Sequence, residues 1–156
     1  MNHLRRLILR GSASGGALAC ALAAGVLRPS AAFAADWNKA AFEAKAVADA
    51  LKNIGATSAA ENAGILIKAP DIAENGAVIP IEVTSRIADT ESISLLVEKN
   101  PFPLLAHVDL VNGAEGYLNT RFKMGQTSVI KVVVKAGGKH YIASREVKVT
   151  IGGCGG

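Results

Sequence analysis

Two hydrophobic periods divide the chain. From Asp36 to about Ile54, Trp37, Ala40, Ala41, Ala44, Val47, Ala48, Leu51 and Ile54 recur at spacings of three and four. That is one face of an amphipathic helix, with Asp36 placed to cap its start and Gly55 to end it. From Gly64 the period becomes two. Ile65, Ile67 and Ala69 alternate with Leu66 and Lys68 until Pro70 stops the run, and Glu74-Asn75-Gly76 supplies turn chemistry. Ile79, Ile81, Val83 and Ile87 share the next face. Pro80 has no N–H, so this strand is an edge or begins there.

Further strands follow at Ile93–Val97, Leu104–Leu110, Leu118–Met124 and Ile130–Val134. In the first of the middle pair Leu104, Ala106, Val108 and Leu110 alternate with Leu105, His107 and Asp109. In the second, Leu118, Thr120, Phe122 and Met124 face in. Asn112-Gly113 and Gly137-Gly138 both read as hairpin turns. The final run, Lys139 to Ile151, has its ends out of phase: Ile142 is even-numbered, whereas Val147, Val149 and Ile151 are odd. One alternation cannot hold both sets, so a β-bulge is expected near residues 143–145. About seven short strands with regular turn signals predict an immunoglobulin-like antiparallel β-sandwich with an N-terminal helix; a barrel is the alternative. No internal repeat is evident.

Residues 1–34 change the charge picture. Arg5-Arg6 followed by Leu7-Ile8-Leu9-Arg10 resembles a twin-arginine export motif. An Ala- and Gly-rich run then leads to Ala32-Phe33-Ala34, small residues suited to cleavage after position 34. The run is too short and glycine-broken for a membrane anchor, and Ala17-Leu18-Ala19 is a poor lipoprotein site for Cys20. The expected domains are therefore a signal peptide (1–34), a helix-plus-sandwich domain (35–151) and an arm (152–156), in a periplasmic protein. Removing arginines 5, 6, 10 and 28 from the 17 basic residues leaves 13 against 13 acidic ones, so the precursor's charge of +4 falls to about zero. With no basic cluster interleaved with aromatics, nucleic acid is not an expected partner. The twin-arginine route carries folded proteins, either with cofactors or with a companion lacking its own signal. No cofactor motif is present, which favours the companion.

Cys154 is then the single cysteine, in Ile151-Gly152-Gly153-Cys154-Gly155-Gly156. The four flanking glycines bury nothing and resist ordering. The expected result is an exposed thiol on a thin peptide. From Ile151 to Cys154 the chain reaches roughly 10 Å when extended. An odd cysteine in an exported protein points to intermolecular or reactive chemistry. The nearest basic residue in sequence is Lys148, so the chain does little to activate the thiol. A passive arm fits this better than a thiol enzyme. His107 and His140 have no metal-ligand spacing, and His107 with Asp109 reads as a solvated face. No nucleophile elbow, phosphate loop or paired carboxylates appear, so an enzyme completing its own reaction is not expected.

The ending Arg145-Glu146-Val147-Lys148-Val149-Thr150-Ile151-Gly152-Gly153-Cys154-Gly155-Gly156 resembles that of the SoxY family, the sulfur carriers of the bacterial Sox system. Ala69-Pro70-Asp71-Ile72-Ala73-Glu74-Asn75-Gly76, Val97-Glu98-Lys99-Asn100-Pro101 and the leader match too. The resemblance implies a carrier of thiosulfate oxidation with no cofactor of its own, holding sulfur intermediates covalently on Cys154. It implies a SoxZ-like β-sandwich companion without its own signal. It also implies three enzymes acting in turn: a c-type cytochrome complex (SoxAX) that loads thiosulfate, a metal-dependent hydrolase (SoxB) that releases sulfate, and a molybdenum enzyme (SoxCD) that oxidises the remaining sulfur. Gly152, Gly153, Gly155 and Gly156 would let the arm enter narrow active sites, and tethering would raise the local concentration of the intermediate. Two rivals stand beside this reading. One is an exported binding module whose tail thiol forms an intermolecular disulfide. The other is a carrier that uses Gly-Gly as a thiocarboxylate, which needs ATP activation and leaves Cys154 idle.

Overall fold

The computed structural model describes residues 37–150; the signal peptide expected over 1–34 and the arm expected over 152–156 lie outside the described residues. Among the described residues two short helices come first, α1 (Lys39–Phe42) and α2 (Val47–Asn53). Nine strands follow: β1 (Ala60–Glu61), β2 (Ile65–Lys68), β3 (Ile72–Ala73), β4 (Ile79–Ser85), β5 (Thr90–Val97), β6 (Leu104–Asp109), β7 (Tyr117–Phe122), β8 (Ser128–Ala136) and β9 (Lys139–Val149). They form a β-sandwich. The larger sheet runs β1-β9-β8-β5-β6, with β3 joining β9, and the smaller runs β2-β4-β7.

The single helix expected over residues 36–54 is two helices, and its cap is Asn38 rather than Asp36. The Asn38 side chain accepts from the N–H of Ala41 at 3.1 Å. Its amide donates to the carbonyl of Asn53 at 2.8 Å, while Asn53 donates to the carbonyl of Ala40 at 2.9 Å. The two asparagines thus close the helix pair on itself. Such caps form because an asparagine side chain satisfies a helix-end N–H that no carbonyl reaches. Asn38→Ala is expected to lower stability by about 1 kcal/mol, measured by urea unfolding. Trp37, expected on the packed face, is 66% exposed. Ala41, Ala44, Ala50 and Ala56 are the buried positions, and their small side chains bring the pair close to the sheet.

The larger sheet is covered on both faces. Ile93, Leu95 and Val97 of β5, Ile130, Val132 and Val134 of β8, and Val147 of β9 pack against Ile65, Ile79, Ile81, Val83, Phe122 and Met124 on the side of the smaller sheet. Leu96, Leu104 and Val133 point the other way, into the helices, with Ile142 partly buried beside them. This removes the need for the bulge expected near residues 143–145. The β8–β9 ladder runs without a register shift from Ser128↔Val147 to Ala136↔Lys139. Ile142 and Val147 are both apolar because each face has its own cover. A strand buried on both sides reads as apolar without alternation.

Bulges occur elsewhere. On β6 the pairing passes from Leu95↔Ala106 to Leu96↔Leu104, skipping Leu105. Leu104 therefore serves the helix-side cluster, while Ala106 and Leu110 serve the core between the sheets. On β5 the pairing passes from Thr90↔Ala136 to Ser92↔Lys135, and Glu91 is the extra residue. Gly137 and Gly138, at φ 54° and 70°, make the expected two-residue β8–β9 hairpin. Asn112 and Gly113 also have positive φ, at 56° and 72°. They do not close a hairpin: β6 pairs with β5 and β7 pairs with β4, so this turn carries the chain from one sheet to the other. Pro80 sits next to the start of β4, beyond the β2 ladder, which begins at Glu82. No helix among the described residues is long and apolar enough to cross a membrane.

Candidate functional site

Cys154, Gly152, Gly153, Gly155 and Gly156 lie outside the described residues; the structure describes the chain up to Thr150, four positions before Cys154. β9 ends at Val149 and is held on both sides there. On one side β3 runs parallel to it, pairing Ile72 with Lys148 and Ala73 with Val149. The N–H of Lys148 donates to Asp71 O at 2.9 Å, and that of Thr150 to Ala73 O at 3.2 Å. On the other side Val149 N donates to Thr127 Oγ1 at 3.0 Å. The last described residue is therefore tied to the sheet, and chain ends fray only where nothing ties them.

Asp71 also binds through its side chain. Arg145 Nη2 donates to Asp71 Oδ1 at 2.7 Å, and Arg145 Nη1 to the carbonyl of Ile67 at 3.2 Å. Arg145 Nε is buried with no partner among the described residues. A forked guanidinium joining a carboxylate and a carbonyl fixes the 67–73 segment along β9 in a way that a lysine could not. Gly76 completes the root. Its carbonyl accepts from Met124 N at 2.8 Å, and a Cβ at this position would run into the Met124 carbonyl oxygen and crowd Val149. Only glycine lets these backbones approach so closely.

Arg145 and Gly76 were not identified from sequence as parts of the root. Asn75-Gly76 reads as a turn, and Arg145 falls where a bulge was expected. The useful signal was Pro70-Asp71, a strand stop followed by an acid, but its partner lies 74 positions away.

His107 and His140 sit toward the other end of β6 and β9. His107 and Asp109 share a face, as expected, but His107 is not simply solvated. Its Nδ1 lies 2.7 Å from Ser94 Oγ, and its Nε2 lies 3.4 Å from Asp109 Oδ1. Both histidines border a cavity of about 250 Å³ between Asn38, Asn53 and the large sheet. Among the described residues no group of three or more His, Cys, Asp or Glu is placed to hold a metal.

Beside this cavity the β5 bulge aims Glu91 at the hairpin turn. Glu91 accepts from Lys135 Nζ at 2.6 Å and from Gly138 N at 2.9 Å. The hydrogen bond from Lys135, then that from Gly138, holds the Glu91 carboxyl below its usual range, and Glu91 in turn raises Lys135. A carboxylate lowered in the folded state adds stability above its unfolded pKa and loses it as pH falls through the folded value. Glu91→Gln should therefore remove part of the acid-side decline in thermal stability. The change should be small, because both side chains meet solvent. Parallel melts across pH 3–6 check this.

A family model described as "Sulfur oxidation protein SoxY" matches residues 51–154. Among solved structures, that of the sulfur carrier protein SoxY from Chlorobium limicola f thiosulfatophilum is 38% identical, with TM-score 0.63, covering 72% of this chain and 99% of that one. A structure concerning T-cell specificity and activation by toxic shock syndrome toxin-1 is 13% identical with TM-score 0.41 and covers 56% of this chain and 100% of that one. No curated protein matches. With the family model spanning most of the chain and the sandwich shared with a sulfur carrier at this identity, the chain belongs to the SoxY family of sulfur-oxidation proteins.

Proposed function

We propose that this sulfur-oxidation carrier holds its cargo on Cys154 and presents it from a sandwich exported to the periplasm. The observation that carries this reading is the tethering of Lys148, Val149 and Thr150 to β3 and Thr127, immediately before the glycine-flanked cysteine. A fixed root and a thin arm deliver one thiol at a defined place on the surface. Residues 1–34 act as a twin-arginine signal, 35–151 as the platform and 152–156 as the arm. The chain is a substrate carrier without a cofactor of its own, and its partner enzymes do the chemistry.

The loading step joins the Cys154 sulfur to the outer sulfur of thiosulfate. A sulfur–sulfur bond forms, one proton leaves the Cys154 thiol, the thiosulfate dianion brings none, and two electrons pass to the c-type cytochrome complex. Hydrolysis then cleaves the bond between the sulfane sulfur and the sulfonate, water supplies the new oxygen, and sulfate leaves. A persulfide remains on Cys154. Where a molybdenum enzyme is present, it oxidises that sulfur further. A SoxZ-like β-sandwich is the companion subunit.

Intact mass of the mature protein from thiosulfate-grown cells tests this. Reductant-labile sulfur or thiosulfate adducts on Cys154 are expected. A bare thiol, or only a protein disulfide in the presence of thiosulfate and the partner enzymes, would sink the carrier chemistry and favour a binding module with an interchain bridge.

A further inference from the structure

We propose that the loop end of the sandwich around the arm root is a docking collar for the enzyme that receives Cys154, with Ile72, Val78 and Phe102 as its apolar contacts. The inference rests on Cys154 being the loaded residue. Reach supplies the first argument. Thr150 is hydrogen-bonded to Ala73, so only four residue steps separate a fixed backbone from Cys154. Four steps extend at most about 13–14 Å. An active site that receives the thiol at any depth must bring its rim against the residues surrounding Thr150. The occupant of this surface is thereby set by chain length: it is the mouth of a globular enzyme.

Topology decides which residues meet that rim. β4 starts, β5 ends, β7 ends, β8 starts and β9 ends at this end of the sandwich, as the pairs Ile79↔Phe122, Val97↔Ile130 and Ser128↔Val147 require. The loops 69–78, 98–103 and 123–127 therefore gather around the root. Ile72, Val78 and Phe102 stand on two of these loops and are 56%, 53% and 48% exposed, high values for large apolar side chains. All three stand at the end of the sandwich where β9 finishes, so an enzyme rim that reaches Cys154 meets exposed apolar surface there.

The collar is also pre-organised. Ile72 is in β3, beside Lys148. Val78 follows Gly76, whose carbonyl is bound by Met124. The loop bearing Phe102 is tied by Asn100 Nδ2 to Lys123 O at 2.8 Å and by Lys99 N to Ser128 Oγ at 3.0 Å. Loops already fixed lose little entropy on binding, so apolar contact there converts efficiently into affinity.

The test uses the full chain with its companion, the c-type cytochrome that loads thiosulfate, and the triple variant Ile72→Ser, Val78→Ser, Phe102→Ser. The control is Val111→Ser, Tyr117→Ser, which removes exposed apolar groups at the opposite end. Circular dichroism confirms that each variant folds, and the single variant Phe102→Ser stands in if the triple does not. The expected result is a KM for the carrier raised on the order of tenfold to a hundredfold in the triple variant, with kcat and the iodoacetamide rate of Cys154 unchanged. The control should match the wild type. An unchanged KM on an intact loading reaction overturns the collar and leaves the carrier function standing. Loss of the companion subunit or of a self-associated state in the triple variant, seen by size exclusion, also overturns it by assigning the patch to that contact. A wild-type protein that takes no adduct defeats the carrier function and the collar together.

Discussion

Cys154→Ser abolishes every thiosulfate-dependent mass adduct and every turnover through the partner enzymes, while the sandwich melts at the wild-type temperature. Serine retains the size of the side chain but cannot form a sulfur–sulfur bond. The stability half of the expectation follows from the platform: its core and its last strand are complete by Val149. A second variant separates the thiol from its delivery. Gly152→Val with Gly153→Val keeps Cys154 but adds β-branched bulk and stiffness to the arm. The iodoacetamide rate should stay within about twofold of the wild type. Enzymatic loading should fall by roughly a hundredfold, the penalty of misplacing a reacting atom by about 1 Å. If loading is unaffected, the glycines serve neither reach nor narrowness.

Leu96→Ala lowers stability by about 2–5 kcal/mol, whereas Leu66→Ala changes it by less than about 0.5 kcal/mol. Both leucines stand at positions that a simple alternation would assign to the outside. Leu96 is fully buried against the helix pair, and truncation leaves a cavity that close-packed neighbours fill poorly. Leu66 is on the outward side of β2 and is exposed. Urea unfolding with equal m-values in the two variants measures the difference directly. Against a total of about 5–15 kcal/mol for such a domain, the Leu96 loss is large. Equal effects would mean that the helices do not cover the larger sheet.

The smaller sheet was readable because one of its faces meets the core and the other meets solvent. Ile79, Ile81 and Val83 alternate with Pro80, Glu82 and Thr84, and the structure buries the first set. The larger sheet was not readable in that way. Leu95-Leu96-Val97 and Val132-Val133-Val134 are apolar on both faces, and the odd and even positions of β9 serve different cores. Reading Ile142 and Val147 as a phase error assumed a single core. The break between the helices was equally hidden, because the alanines keep helical spacing through it. It is the Asn38–Asn53 exchange that makes the short pair stable.

For the candidate site the division is similar. Sequence alone determined the strand period, the Gly137-Gly138 turn, the four arginines unmatched by any acid in residues 1–34, and a glycine-flanked thiol just beyond the β9 run, because these are properties of composition and short-range pattern. Tertiary structure decided the rest. Asp71 meets Arg145, Thr127 meets Val149, and Gly76 admits Met124, all through contacts between residues far apart in the chain. It also decided that Asn112-Gly113 crosses between sheets: the turn's local geometry is set by its two residues, but the partners of the strands it joins are chosen by which faces must be buried.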